Sequence, residues 1–387
     1  MLSSRERVEM AFDFEEPDRV PLFEQGISPN VASEILGREA YTAASGPGQR
    51  QIYELTYRGK RDTLVKRIAK DIIELHVKLE LDIVRPPLVP SAGSKGPTRI
   101  IDKYTYYFED ESTGLWQVRR YNPVSMECMP IDSSIKREGI KAIEKLVESL
   151  ERGGFEVDET TFEAYNLIVE RLGDEKFIAG YGGINIPIDQ HWLLATISRP
   201  HLVERYLDNQ LERTLKMIEA SKRHGADFIL GGGDLAGTRG PVYSPRTFRR
   251  FILPRLKRIT EFCHQLGLPY IFRTDGNIWP IARELLSESG VDGFGEIDAQ
   301  AGMRLKDLRR SFPNLVLWGN VDCARSLVFG PEEAVVRETL SNIRDAAPGG
   351  GYILGSSNTI HPNVKAVFFM AMLRTAKKYG VYPVAKA

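Results

Sequence analysis

Short apolar runs bounded by glycine, proline or acidic residues recur along the chain, and longer stretches with helical spacing separate them. The runs are "VPLFEQG" near residue 20, "LDIVRPPLV" near 81, "FIAGYGG" at 177 and "DFILGGGD" at 227, then "PYIFRTDG" at 269, "VDGFGEID" at 291, "LVLWGNVD" at 315 and "GYILGSSN" at 351. Between them lie amphipathic segments such as "RPHLVERYLDNQLERTLKMIEASKRHG", where Leu202, Tyr206, Leu207 and Leu211 keep helical spacing. "SPRTFRRFILPRLKRITEFCHQLG" has the same character, with Ser244 as its cap and Gly267 as its stop. At the start, Ser3 or Ser4 caps a first helix that "EEPDR" ends.

Near-continuous apolar strands that alternate with helices predict a parallel sheet covered by helices. Eight such units in series predict an α/β fold of the (β/α)8 TIM-barrel type. An open doubly wound sheet is the alternative, but "GYGGIN" and "GGGDLAG" lack the dinucleotide fingerprint that would favour it. One stretch, "TRIIDKYTYYFEDESTGLWQVRRYNPVSMECMPID" at 98–132, alternates polar and apolar residues around an "STG" turn. It predicts an antiparallel hairpin inserted after the second strand. With no linker or low-complexity tract, residues 1–387 read as one domain.

Charge narrows the partners. Lys plus Arg and Asp plus Glu both number 52, so no bulk field draws the chain to nucleic acid or to an anionic membrane. The opening residues have no apolar leader core, and no run reaches the length that spans a bilayer, so a cytoplasmic location is expected. Cys128, Cys263 and Cys323 are too few and too scattered for a disulfide framework or for a zinc site through sulfur. The remaining partner is a small molecule, and a homodimer stays open.

In barrels of this kind the chemistry sits at the C-terminal ends of the strands. Those ends deliver Glu24, Arg85, Tyr181 with Asn185, Asp234, Arg273 with Asp275, Glu296 with Asp298, Asn320 with Asp322, and Ser356 to Asn358 followed by His361. Asp, Asn and Gly also serve turns and helix caps, so the functional reading rests on convergence rather than on any one residue. Arg273 and Asp275, two apart, are expected to point into the mouth together. Asp275, Arg273, Asp234 and His361 are the candidates for catalysis. Glu24, Tyr181, Asn185, His191, Glu296, Asn320 and Ser356 are the candidates for binding substrate. Asp234, Asp275 and Glu296 form a weaker oxygen-ligand set for a metal.

The phrases "SSRERVEMAFDFEEPDRVPL", "YSPRTFRRFILPRLKRI", "DGNIWPIARELLSESGVDGF", "WGNVD" and "APGGGYILGSSNTI" make the chain resemble the uroporphyrinogen decarboxylase superfamily. That resemblance implies the same barrel and either decarboxylation or methyl transfer. The decarboxylase branch carries an arginine-rich "RQAGRY" loop and a Gly-His-Gly after the last strand. Here the first strand runs "RVPLFEQGISPNVASEI", and "GSS" stands at 355–357. The branch that methylates coenzyme M carries a zinc site of His-x-Cys after the fifth strand and Cys after the eighth. Those places hold Arg273, Asp275 and Ser356 or Ser357, and an arginine cannot ligate a metal.

What remains resembles the members that demethylate methoxylated compounds. The resemblance then implies a corrinoid-dependent methyltransferase that passes a methyl group to a corrinoid carried by a partner protein. No Asp-x-His-x-x-Gly corrinoid signature occurs in this chain. A cofactor-free decarboxylase or lyase, and a ligand-binding barrel without chemistry, are the alternatives.

Overall fold

The computed structural model describes residues 2–384. Its strands are β1 (Ile83–Val84), β2 (Arg99–Asp102), β3 (Thr105–Asp110), β4 (Leu115–Asn122), β5 (Glu127–Ser133), β6 (Phe177–Tyr181), β7 (Phe228–Gly232), β8 (Ala236–Gly237), β9 (Gly240–Pro241), β10 (Tyr270–Arg273), β11 (Gly293–Gly295), β12 (Val316–Val321) and β13 (Tyr352–Ser356). A curled sheet of seven parallel strands runs in the order β1-β6-β7-β10-β11-β12-β13. The helix Arg61–Leu79 leads into its first strand, and others connect its strands, among them Pro200–Arg223, Leu253–Gln265 and Glu332–Ala346. The result is a TIM-barrel-like α/β fold, with the mouth at the strand C-termini.

The first expected strand takes part only as a bridge. Pro21 has no N–H to give a ladder, so the run near residue 20 cannot pair continuously. It still touches both edges of the sheet. Phe23 N donates to Leu354 O at 3.0 Å, Leu354 N donates to Pro21 O at 2.9 Å, and Asp82 N donates to Leu22 O at 2.9 Å. Below this seam the buried carboxylate of Asp82 accepts from Arg7 Nη1 and Arg19 Nη1, each at 2.7 Å, and so ties the first helix to the barrel floor. That helix, Ser4–Phe12, starts with a capping box made by Ser3 and Glu6.

The excursion after β1 is a four-stranded antiparallel meander, β2-β3-β4-β5, in place of the expected hairpin at 98–132. The "STG" turn joins β3 to β4, with Asp110 Oδ1 accepting from Ser112 N at 2.8 Å. A second turn, in which Asp102 Oδ1 accepts from Tyr104 N at 2.8 Å, joins β2 to β3. A third, between Asn122 and Glu127, adds β5. Alternating patterns cannot distinguish two long strands from four shorter ones when the extra turns are this tight. The meander has its own small core of Tyr106, Tyr121 and Cys128, apart from the barrel.

Inside the barrel Trp318 fills the space beneath the seam. Its indole Nε1–H donates to Phe23 O at 3.1 Å, and the side chain is fully buried. Glycines make the room: a Cβ on Gly295 would lie 2.0 Å from the Trp318 ring, and one on Gly355 would lie 2.2 Å from Phe23 O. Gly295→Ala is therefore expected to cost about 1–3 kcal/mol by overpacking. A denaturant midpoint equal to wild type would show that the ring can move aside.

Among the described residues, no helix is long and apolar enough to cross a membrane.

Candidate active site

Two strings of contacts cross the barrel mouth. In the first, Arg273 Nη1 at the end of β10 lies 3.2 Å from Glu296 Oε2, just past β11. Gln25 Nε2 also donates to Glu296, and it reaches Thr359 Oγ1 at 3.3 Å. Glu296 is buried and sits at a φ of 59°, a left-handed conformation that a glutamate adopts only when its surroundings hold it there.

In the second string, Glu24 Oε1 accepts from Ser356 N at 2.8 Å, and Glu24 Oε2 lies 2.6 Å from Ser356 Oγ. Ser356 Oγ also contacts the Asn358 carbonyl, and Asn358 Nδ2 donates to Asp275 Oδ2 at 3.2 Å.

Burial and proton counting both favour a protonated Glu24. A serine hydroxyl has one proton to give. Ser356 can satisfy the Asn358 carbonyl and Glu24 together only if Glu24 is protonated and donates to Ser356 Oγ. Burial acts in the same direction, pushing the Glu24 carboxyl up to about 8 against the weaker pull of the Ser356 donors. The sign for stability follows. The folded state holds this proton more tightly than the unfolded chain, so the contribution is complete below about 4.5 and is lost as pH rises through about 8. Glu24→Gln is expected to flatten the fall in melting temperature over that window. An unchanged slope would mean that Glu24 is ionised in the folded protein.

Asp275 carries the other displaced carboxyl. Burial raises it to about 6, with the charges of Glu296, Asp234 and Asp298 adding to the rise and Asn358 opposing it. Asp234 is exposed in the turn after the β7 glycines. Arg273 and Asp275 do not pair. The strand ends at Arg273, so the side-by-side projection expected of an extended segment stops there, and the guanidinium turns to Glu296 instead.

Two cavities open at this mouth. One of about 310 Å³ is bordered by Glu24, Gln25, Thr42, His76, Arg85 and Tyr181, among others. The second, about 360 Å³, is bordered by Arg85, Tyr181, Gly182, Gly232, Arg213 and Arg273, among others. Tyr181 lines both, with its hydroxyl donating to Pro86 O at 2.9 Å.

Other candidates are placed elsewhere or engaged in structure. Asn185 exchanges hydrogen bonds with Gln210, at 3.1 Å from its N–H and 3.4 Å to its Oδ1. Asn320 is buried with Oδ1 unpartnered. His361 Nδ1 accepts from Asn363 N at 3.3 Å, which leaves the Nε2 proton to donate to Cys323 O at 2.8 Å, so both ring nitrogens are used by the backbone. His191 begins the helix Gln190–Ser198 and packs beside Gly139, away from both cavities. Asp298 Oδ1 caps Gln300 N at 2.8 Å, and Asp322 Oδ1 caps Ala324 N at 2.8 Å, the local service that such residues often give.

Among the described residues, no group of three or more His, Cys, Asp or Glu side chains is arranged to hold a metal ion. In the set Asp234, Asp275 and Glu296, the last is already occupied by Arg273 and Gln25. Burial pushes the thiols of Cys263 and Cys323 up to about 12, so both stay protonated and are poor ligands.

Gln25 and His76 are the site residues that strand-end reading passes over, and Asn358, which it includes, is not among the candidates for catalysis or binding. Gln25 lies one position beyond Glu24. His76 sits within a helix, and its only signal is a polar side chain on the buried face. Its Nδ1–H donates to Ile72 O at 2.8 Å, Nε2 has no partner, and burial lowers it to about 4, so the ring is neutral.

A TIM-barrel-like fold with buried acids and arginines around one mouth defines the class. Residues 189–379 match the uroporphyrinogen decarboxylase family. A uroporphyrinogen decarboxylase of Anaeromyxobacter sp. (strain Fw109-5) is 31% identical over 122 residues, which are 30% of this chain and 33% of that protein. The match thus spans about a third of that relative's length. Among solved structures, a methyltransferase from Methanosarcina mazei superposes with a TM-score of 0.64 at 18% identity, over 98% of this chain and 99% of that one. Residues 189–379 thus carry the similarity to the uroporphyrinogen decarboxylase family, and the chain as a whole shares the fold of that methyltransferase.

Proposed function

We propose that the chain is a methyltransferase that removes a methyl group from a small methoxylated or methylated compound and passes it to a corrinoid protein docked at the mouth. The observation that carries this reading is Asp275, a carboxyl raised to about 6 by burial and by surrounding acids and held by Asn358, the neighbour of Thr359 on the wall of the first cavity. An ether does not lose its methyl group readily, because the leaving oxygen departs as an anion. Asp275 supplies the proton that oxygen needs as the carbon–oxygen bond breaks, and it recovers a proton from solvent afterwards. The methyl carbon goes to the cobalt of the partner, which brings its own electron pair as Co(I). Arg273 stays tied to Glu296 and keeps the mouth in shape, and Tyr181 lines the wall against which the substrate lies. The full-length likeness to a methyltransferase fold supports the reading at the level of architecture.

The test is a screen of methoxylated compounds and methylated amines with a reduced corrinoid protein, following the cobalt spectrum. Conversion of the reduced spectrum that requires both this chain and one compound class is expected. No conversion with any compound would set the reading aside.

Decarboxylation is the second reading. It is favoured by one observation, an arginine at the mouth that has no carboxylate of its own, Arg85. It predicts release of carbon dioxide with no corrinoid present.

A further inference from the structure

Arg85 follows β1 directly and borders both cavities. Among the described residues it enters no ion pair and no hydrogen bond, and its Nε is buried without a partner. What holds it is the ring of Tyr181, whose centroid lies 4.7 Å from the guanidinium carbon. Glu296 attracts it and Arg273 repels it, but Glu296 is already paired with Arg273. Most of the other arginines around the barrel are satisfied: Arg7 and Arg19 share Asp82, Arg61 meets Glu163, and Arg255 meets Asp208. An arginine cannot shed its proton to escape burial. A partly buried guanidinium without a counter-charge is a standing cost to the fold, and such groups persist where something else completes them.

The surroundings narrow what that is. The Tyr181 ring lies against the guanidinium and Pro87 and Leu88 line the first cavity beside it, so the N–H edge is what remains for a ligand. A planar carboxylate matches that edge with two parallel hydrogen bonds. A phosphate dianion needs more positive charge than one guanidinium supplies: Arg273 is tied to Glu296, and Arg213, which has no carboxylate partner among the described residues, borders only the second cavity and is held by Asn209 and the Phe155 ring.

We propose that Arg85 anchors a subsite for the carboxylate of a small, singly charged substrate, at the junction of the two cavities. This deepens the reading of the mouth as the substrate site. Asp275 meets Asn358, the neighbour of Thr359 on the wall of the first cavity, so the acid lies beside the cavity that Arg85 borders. The substrate class becomes methoxylated or methylated carboxylic acids.

The experiment is calorimetric binding, which needs no turnover and no corrinoid. The probes are acetate, propionate, benzoate and 3-methoxybenzoate, each against its primary amide, with inorganic phosphate as a separate arm. Wild type is expected to bind at least one acid roughly 10-fold or more tighter than its amide, as two charge-assisted hydrogen bonds require. Arg85→Gln should reduce that ratio to about one, and Arg85→Lys should recover only part of it. Without ligand, Arg85→Gln should melt at or above wild type, because an unpaired buried cation has been removed.

Equal binding of every acid and its amide would overturn the proposal. So would an acid preference that survives in Arg85→Gln, a preference for phosphate over every carboxylate, or a clear loss of melting temperature in unliganded Arg85→Gln. Carboxylate binding without methyl transfer would leave the subsite standing and remove only the reaction.

Discussion

Asp275→Asn is expected to keep the fold and to lower turnover by ~10²–10⁴-fold, the usual worth of a positioned proton donor. Asparagine preserves the shape and can still meet Asn358, but it has no transferable proton. The pH dependence carries the same signature. An acid that must be protonated loses activity as pH rises through its own value, so kcat/KM should decline above about 6. Stability should respond in a related way. The folded state binds the Asp275 proton more tightly than the unfolded chain, so this contribution is complete below about 3.8 and is lost as pH rises through about 6. At pH 7 the asparagine variant should therefore melt at or above wild type. Turnover and melting on the same preparations check both. Near-normal turnover would exclude Asp275 as the acid and leave Asp234 as the next candidate.

Arg273→Gln is expected to destabilise the protein by on the order of 2–4 kcal/mol, because it strands the buried carboxylate of Glu296. Glu296 has a side-chain exposure of only 3%, against 27% for Arg273, so the arginine's loss leaves a charge that water cannot reach well. Gln25 would remain as its one neutral donor. Adding Glu296→Gln should recover most of the loss, since the stranded charge is then gone, and Glu296→Gln alone should cost less than Arg273→Gln alone. Denaturant midpoints of the two single variants and the double variant give the coupling. Additive losses would mean that the pair is not a unit.

Much of this fold could be read from apolar runs, because a strand buried on both faces leaves a short, evenly hydrophobic word whatever surrounds it. By its apolar pattern the run near residue 20 is a strand of the same rank as the others. Pro21 reduces it to a bridge, and only the hydrogen bonds to Leu354 and Asp82 show that it spans the edges of the sheet. The meander kept its "STG" turn but hid two further turns, since Asp102 and Asn122 mark tight reversals no more strongly than they mark ordinary loops.

At the site, strand ends pointed to Glu24, Tyr181, Arg273 and Asp275. What they could not reveal was pairing. Arg273 meets Glu296 because β10 lies beside β11 with Arg273 opposite Gly295, a register set by packing across the sheet. A cap and a catalytic carboxylate look alike in one dimension, so Asp298 and Asp322 resembled Asp275 until their backbone partners were visible. Arg85 had a signal of its own: a cation directly after a buried strand, followed by two prolines and no acid.

The central claim is that a methyl group, and no other carbon, leaves the substrate at this mouth. The most direct measurement follows a methoxylated carboxylic acid labelled with ¹³C at both the methyl and the carboxyl carbon, in the presence of a reduced corrinoid protein. Transfer of the methyl label to the corrinoid protein, with the carboxyl label retained in the demethylated acid and the whole reaction slowed in Asp275→Asn, is the predicted result. Appearance of the carboxyl label as carbon dioxide, with the methyl group still on the product, would contradict it.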